Sequence, residues 1–77
     1  MNYPVIDLEA TGRNIRRLRE VKSVSVRELA HFLGLSDVQP IYKWQRGVTL
    51  PSIDNLLALS KYLDTPIEQI LVFQTNV

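Results

Sequence analysis

The 77-residue chain has no cysteine and only one histidine, His31. The first absence removes disulfides, thiolate metal sites and cysteine nucleophiles together. The second argues against a His-ligated zinc site and a Ser-His-Asp triad. Neither a metal nor another cofactor is expected. Long apolar runs are missing too: the longest, such as Ile70 to Phe73, fall far short of a membrane span. The opening MNYPVIDLEA has no basic region followed by an apolar one, so no secretory signal is expected and a cytoplasmic location is. No internal repeat or low-complexity stretch interrupts the chain. What remains is ordinary for one small globular domain: 45% hydrophobic and 22% charged residues.

The net charge of +1 hides a division. Between Arg13 and Arg46 stand eight basic residues against three acidic ones, a net of +5. The rest of the chain has one lysine against five acidic residues, a net of −4. A basic half opposed to an acidic half suggests a footprint for a polyanion, although a solvated helix face accounts for such charge equally well.

Breakers and caps divide the chain into short helical pieces. The first helix is expected from about Arg13 to Lys22, with Thr11 as its cap, Ile15 and Leu18 inward, and Val21 or Lys22 extending that stripe. Ser25 opens a second helix. Glu28 follows three residues later and can reach back to the cap. Leu29, Ala30 and Leu33 form its inner face, and Gly34 ends it. In the third helix Val38, Ile41 and Trp44 recur every three residues before Gly47. Pro40 must lie in its first turn; Asp37 is the favoured cap over Gln39 and Ser36, which makes Pro40 the third helical residue. A fourth helix begins at Ser52, with Ile53, Leu56, Leu57, Leu59 and Leu63 inward. A short fifth follows a Thr65 cap, with Pro66 in the first helical position and Ile67, Ile70 and Leu71 inward. Val5 to Leu8 and Leu71 to Phe73 are the only weak strand candidates. These two apolar ends are expected to pack on each other or on a second subunit.

Two helices joined across Gly34, the third opening into polar residues, read as a helix-turn-helix. Residues 12–71 resemble the Cro/C1-type (XRE family) helix-turn-helix domain, lambda repressor-like. The resemblance rests on IRRLRE, SVRELAHFLGLS, IYKWQRG, LPSIDNLLALSKYL and TPIEQIL in that order. It implies an all-α, compact five-helix bundle with the helix-turn-helix at helices 2 and 3. Residues 1–11 form an N-terminal arm and 72–77 a C-terminal tail. It also implies a non-enzymatic transcriptional regulator that binds double-stranded DNA, as a homodimer on a palindromic operator, with the third helix, about 37–46, in the major groove. A protein-interaction module or antitoxin-like partner on the same bundle is the alternative. No membrane association and no small-molecule ligand are implied.

On that pattern Gln39 is the leading base reader, since an amide pairs bidentately with adenine. Lys43 lies one turn further on the same face and would reach a guanine or a phosphate. Val38 would touch a thymine methyl or pack against the turn. Tyr42 completes the base-facing set, or bonds a phosphate. Arg46 and Thr49 suit one phosphate, and Arg27 and Arg13 are further phosphate candidates. Ile41 and Trp44 belong to the core. Arg16 is expected to pair with Glu20 along its helix, and His31 to be an exposed residue without a special role. Among the acidic residues Asp54, Asp64 and Glu68, helix-end roles account for Asp54 and Glu68 more simply than a metal site. Three departures from the family pattern stand out. The LSDVQP turn is one residue longer than usual. Gln45 replaces a common glutamate, leaving Arg19 a neutral acceptor. Ser23 sits where a glycine often ends the first helix, which predicts a less sharp turn.

Overall fold

A computed structural model describes residues 3–76. The chain runs β1 (Tyr3–Ile6), α1 (Leu8–Val21), α2 (Val26–Phe32), α3 (Gln39–Gln45), α4 (Ile53–Tyr62), α5 (Ile67–Ile70) and β2 (Phe73–Asn76). The five-helix bundle is as expected, with a small two-stranded sheet added. β1 pairs antiparallel with β2, from Tyr3 opposite Asn76 to Ile6 opposite Phe73. The two apolar ends therefore pack on each other.

Helix α1 starts five residues earlier than expected. Asp7, not Thr11, caps it: Asp7 Oδ1 accepts from the Ala10 amide at 3.0 Å. Thr11 lies inside the helix and is fully buried. Its hydroxyl accepts from the Val72 amide at 2.8 Å and donates to the Val72 carbonyl at 3.2 Å, fastening α1 to the residue before β2. Gly12 does not break the helix, because its missing side chain is what lets α3 approach. A Cβ there would lie 2.6 Å from the Gln45 carbonyl oxygen and closer still to that of Trp44. Ile15 is buried and Leu18 packs beside it, but Val21 is 70% exposed and does not extend the stripe.

Ser25 and Glu28 form the expected capping box around the start of α2, each side chain bonding the other's amide at 3.0 Å. Leu29 and Ala30 are buried, with Leu33 partly so. Gly34 closes the helix at φ +70°.

Helix α3 begins at Gln39, two residues past Asp37, with Val38 at the cap position and no side-chain cap bond. Asp37 Oδ1 accepts from the Gln39 amide at 2.8 Å. That closes a local turn over Val38, as aspartates do two residues ahead, in place of a helix cap. Pro40 is thus the second helical residue, not the third. Ile41 and Trp44 are buried as expected.

Ser52 caps α4 by accepting from the Asn55 amide at 3.1 Å. Leu56, Leu59 and Leu63 are buried, but Ile53 is 80% and Leu57 51% exposed, contrary to the inward placement expected of them. At 100° per residue the three buried leucines fall within about 60° of one another and Leu57 about 100° or more from each, while Ile53, about 60° from Leu56, sits at the edge of that face in the first turn. Thr65 does not cap α5. Its hydroxyl donates to the Leu63 carbonyl at 3.0 Å. Pro66 occupies the cap position instead, outside the helix, where its carbonyl accepts from Gln69 and Ile70. Ile15, Leu29, Ile41, Leu59, Leu63 and Ile70 meet in the centre of the bundle, essentially inaccessible to water. Each contributes roughly 1.5–3 kcal/mol through burial.

Candidate nucleic-acid interface

Helix α3 has two sides of opposite character. Ile41 and Trp44 are buried, and Val38 is half-buried against the same core. Gln39, Tyr42, Lys43 and Arg46 are exposed. Their spacing of three, four and seven residues is that of a single helical face. The structure thus brings four of the expected contact residues together and leaves them open to solvent. Val38 stands apart from them, because part of its surface is spent on packing. Thr49 is exposed in the loop that follows.

The inner side holds this outer face in place. Trp44 and Gln45 carbonyls abut Gly12 of α1, and Gly47 ends α3 at φ +75°. Gly47 in turn sits against the α1 backbone, where a Cβ would lie 2.8 Å from the Glu9 Cα. Arg19 reaches across from α1, donating from Nε to Gln45 Oε1 at 3.0 Å and from Nη1 to the Val24 carbonyl at 2.8 Å. The neutral acceptor expected of Gln45 is therefore used.

Arg27 is exposed on α2. Together with His31, Ser36, Asp37 and Val38 it lines a cavity of about 360 Å³, which places it beside the start of α3. Arg13 is also exposed. The neighbouring arginines are partly engaged. Arg16 pairs with Glu20 at 3.2 Å, both side chains largely exposed, as expected. Arg17 donates to Asn14 Oδ1 at 2.8 Å, while Asn14 Nδ2 donates to the Gln69 and Ile70 carbonyls at 2.8 and 2.9 Å. Asn14 thereby satisfies the end of α5, a role that no local sequence signal announces.

Glu28 has a shifted acidity. Hydrogen bonds from the Ser25 amide and hydroxyl hold its carboxyl below the ordinary value of 4.5. The turn after α1 is tighter than Ser23 led one to expect: Ser23 itself adopts φ 57° and does what glycine would do. His31 is exposed. It lines, with Arg27, Phe32 and Tyr62 among others, a second cavity of about 570 Å³ floored by the stacked Phe32 and Tyr62 rings, 4.1 Å apart. Among the described residues no helix is long and apolar enough to cross a membrane.

The comparisons with known proteins agree with this arrangement. The Helix-turn-helix family model matches residues 15–70. A proposed HTH-type transcriptional regulatory protein of Methanocaldococcus jannaschii is 34% identical over 56 residues, which is 73% of this chain and 17% of that protein. The chain thus spans less than a fifth of the length of that curated relative. The restriction-modification controller protein C.AhdI of Aeromonas hydrophila superposes with a TM-score of 0.74 at 33% identity, covering 83% of this chain and 96% of that one. SinR, a master regulator for biofilm formation solved in complex with DNA, gives 0.69 at 28% identity, covering 78% and 95%. By its α2–turn–α3 geometry and by these matches, the chain belongs to the XRE-type helix-turn-helix family.

Proposed function

We propose that this chain is a sequence-specific, double-stranded DNA-binding transcriptional regulator. Helix α3 enters the major groove. Gln39 and Lys43 read base edges, with Tyr42 beside them, and Val38 adds a methyl contact where its packing leaves it free. Arg46, Thr49, Arg27 and Arg13 hold phosphates. One observation carries the reading: the exposed stripe Gln39–Tyr42–Lys43–Arg46 lies opposite the buried Ile41 and Trp44. A polar, cationic face on a helix whose other face is locked in the core is what groove reading requires. A neighbour of this fold solved in complex with DNA supports the DNA-binding part of the reading. Two copies acting on a palindromic site in the cytoplasm complete the proposal, as is usual for this motif.

Fluorescence anisotropy on selected and random duplexes across a salt series tests it. Affinity falls steeply with salt. Gln39→Ala relaxes preference at one base position by about 1–3 kcal/mol, whereas Arg46→Ala weakens all duplexes alike and lowers the salt slope by about one. Equal effects of both changes on every duplex would remove Gln39 from the role of base reader.

A further inference from the structure

His31 lies one turn beyond Arg27 on α2, so the two side chains share a helical face, and both are exposed. Both line the cavity of about 360 Å³ that α2 forms with the start of α3, where Ser36, Asp37 and Val38 make the facing wall. Both also line the neighbouring aromatic cavity, in which Glu28 and Tyr62 are the further titratable groups. The carboxylates around His31 are already engaged. Glu28 is held in the capping box by Ser25, and Asp37 Oδ1 accepts from the Gln39 amide. Among the described residues the ion pair recorded is Arg16–Glu20, so Arg27 has no carboxylate partner within its own chain.

We propose that the cavity beside the start of α3 seats one backbone phosphate of the bound duplex between Arg27 and His31, and that His31 takes up a proton as the phosphate docks. The charges lining the cavity call for it. With His31 neutral, Arg27 and Asp37 cancel, and an arriving phosphate leaves one negative charge uncompensated. A proton on the imidazole compensates it. Imidazole is the side chain that gains such a proton near neutral pH, and an opposite charge close by favours its charged form. The preference is mutual: a phosphate that favours the protonated ring is bound more tightly by it. Binding is therefore tightest at low pH, and the added affinity is lost as pH rises through the range in which the complex gives up the proton. Ser36 adds a hydroxyl donor on the facing wall. A phosphate seated here lies beside the residues that open α3, which fixes the strand where Gln39 enters the groove. The inference rests on the DNA-binding reading above and adds to it a residue and a proton.

The test uses the whole chain and a selected duplex at constant ionic strength. Wild-type affinity, read by anisotropy, is about fivefold higher at about pH 6 than at about pH 8, most of the tenfold that a one-unit rise in the ring's titration midpoint supplies in the limit. The salt slope steepens by about one at the lower pH, because one more cation faces phosphate. His31→Gln binds at both pH values close to the wild type at the higher one. His31→Lys, whose charge stays, binds tightly at both. Since His31 is exposed, neither change disturbs the core. It is also the only histidine in the chain, so a single imidazole resonance reports its titration, which moves to higher pH when duplex is added. Equal wild-type affinity at the two pH values overturns the inference. So does a pH dependence that survives in His31→Gln, which assigns the proton to another group such as the α-amino end, and so does an imidazole titration unmoved by duplex. A flat pH profile on top of salt-dependent, sequence-selective binding removes the proton from His31 and leaves the base-reading face standing; absence of binding at every pH removes both.

Discussion

Arg19 on α1 donates to the side-chain oxygen of Gln45 at the end of α3, 3.0 Å away. The same guanidinium donates to the Val24 carbonyl in the turn before α2. One partly buried side chain thus ties together the first helix, the turn and the helix that carries the proposed contacts. Arg19→Ala therefore costs roughly 1.5–3 kcal/mol, because it strands two acceptors. Gln45→Glu has the opposite sign: a charged acceptor strengthens the bond and adds about 0.5–1 kcal/mol, less in high salt. Urea unfolding midpoints check both. A Gln45→Glu variant less stable than wild type at low salt would contradict the assignment.

Gly12 is a contact point and not a hinge. Any Cβ there meets the carbonyls that end α3. Gly12→Ala is expected to destabilise by about 1–3 kcal/mol, as overpacking does, against the usual gain of alanine in a helix. It also shifts α3, so DNA binding weakens even where the variant is fully folded. Thermal melts and anisotropy measured side by side separate the two effects. A more stable Gly12→Ala protein would show that α3 does not approach α1 as described.

Ser23 holds φ 57°, a conformation that strains a residue with a Cβ. Ser23→Gly relieves that strain but adds freedom to the unfolded chain. The balance is a gain of about 0.5 kcal/mol, whereas Ser23→Val loses more than 1 kcal/mol, since β-branching tolerates positive φ least. Denaturant midpoints of the pair give the comparison; a Val variant as stable as the Gly one would disprove the turn conformation.

Glu28 carries a pH signature. Its carboxyl is held below its ordinary value of 4.5 by the Ser25 hydrogen bonds. A lowered folded value means stability that is fully present above the unfolded value and lost as pH falls through the folded one. The stability difference between wild type and Glu28→Gln should therefore shrink steadily from about pH 6 to about pH 3. Parallel curves for the two proteins across that range would show that the carboxylate does not work through the capping box.

Much of this was legible because caps and stops are local. Ser25 with Glu28, Ser52, Gly34 and Gly47 signal helix ends within a few residues, and the structure uses all of them. The start of α1 was not legible. Asp7 competes with Thr11 as a cap, and Gly12 resembles a breaker until α3 is packed against it. Thr11 and Asn14 bond to residues 55 to 61 positions away, for which no short-range signal exists. The terminal strands pair across nearly the whole chain for the same reason. Leu57 was misplaced because helical spacing alone does not say which of two apolar faces is inward, and Ile53 because it sits in the first turn at the edge of the inward one. The outer face of α3, in contrast, is legible: a three-residue beat of Val38, Ile41 and Trp44 leaves Gln39, Tyr42, Lys43 and Arg46 nowhere else to point.

The central claim is that this outer face meets the nucleic acid. An amide and side-chain NMR titration with a selected duplex, at moderate salt, reads it residue by residue. Shifts concentrated on Gln39, Tyr42, Lys43, Arg46 and Thr49, with the Trp44 indole little moved, are the predicted result. Shifts gathered instead around Phe32 and Tyr62, or on the β1–β2 ribbon, with α3 silent, would contradict it.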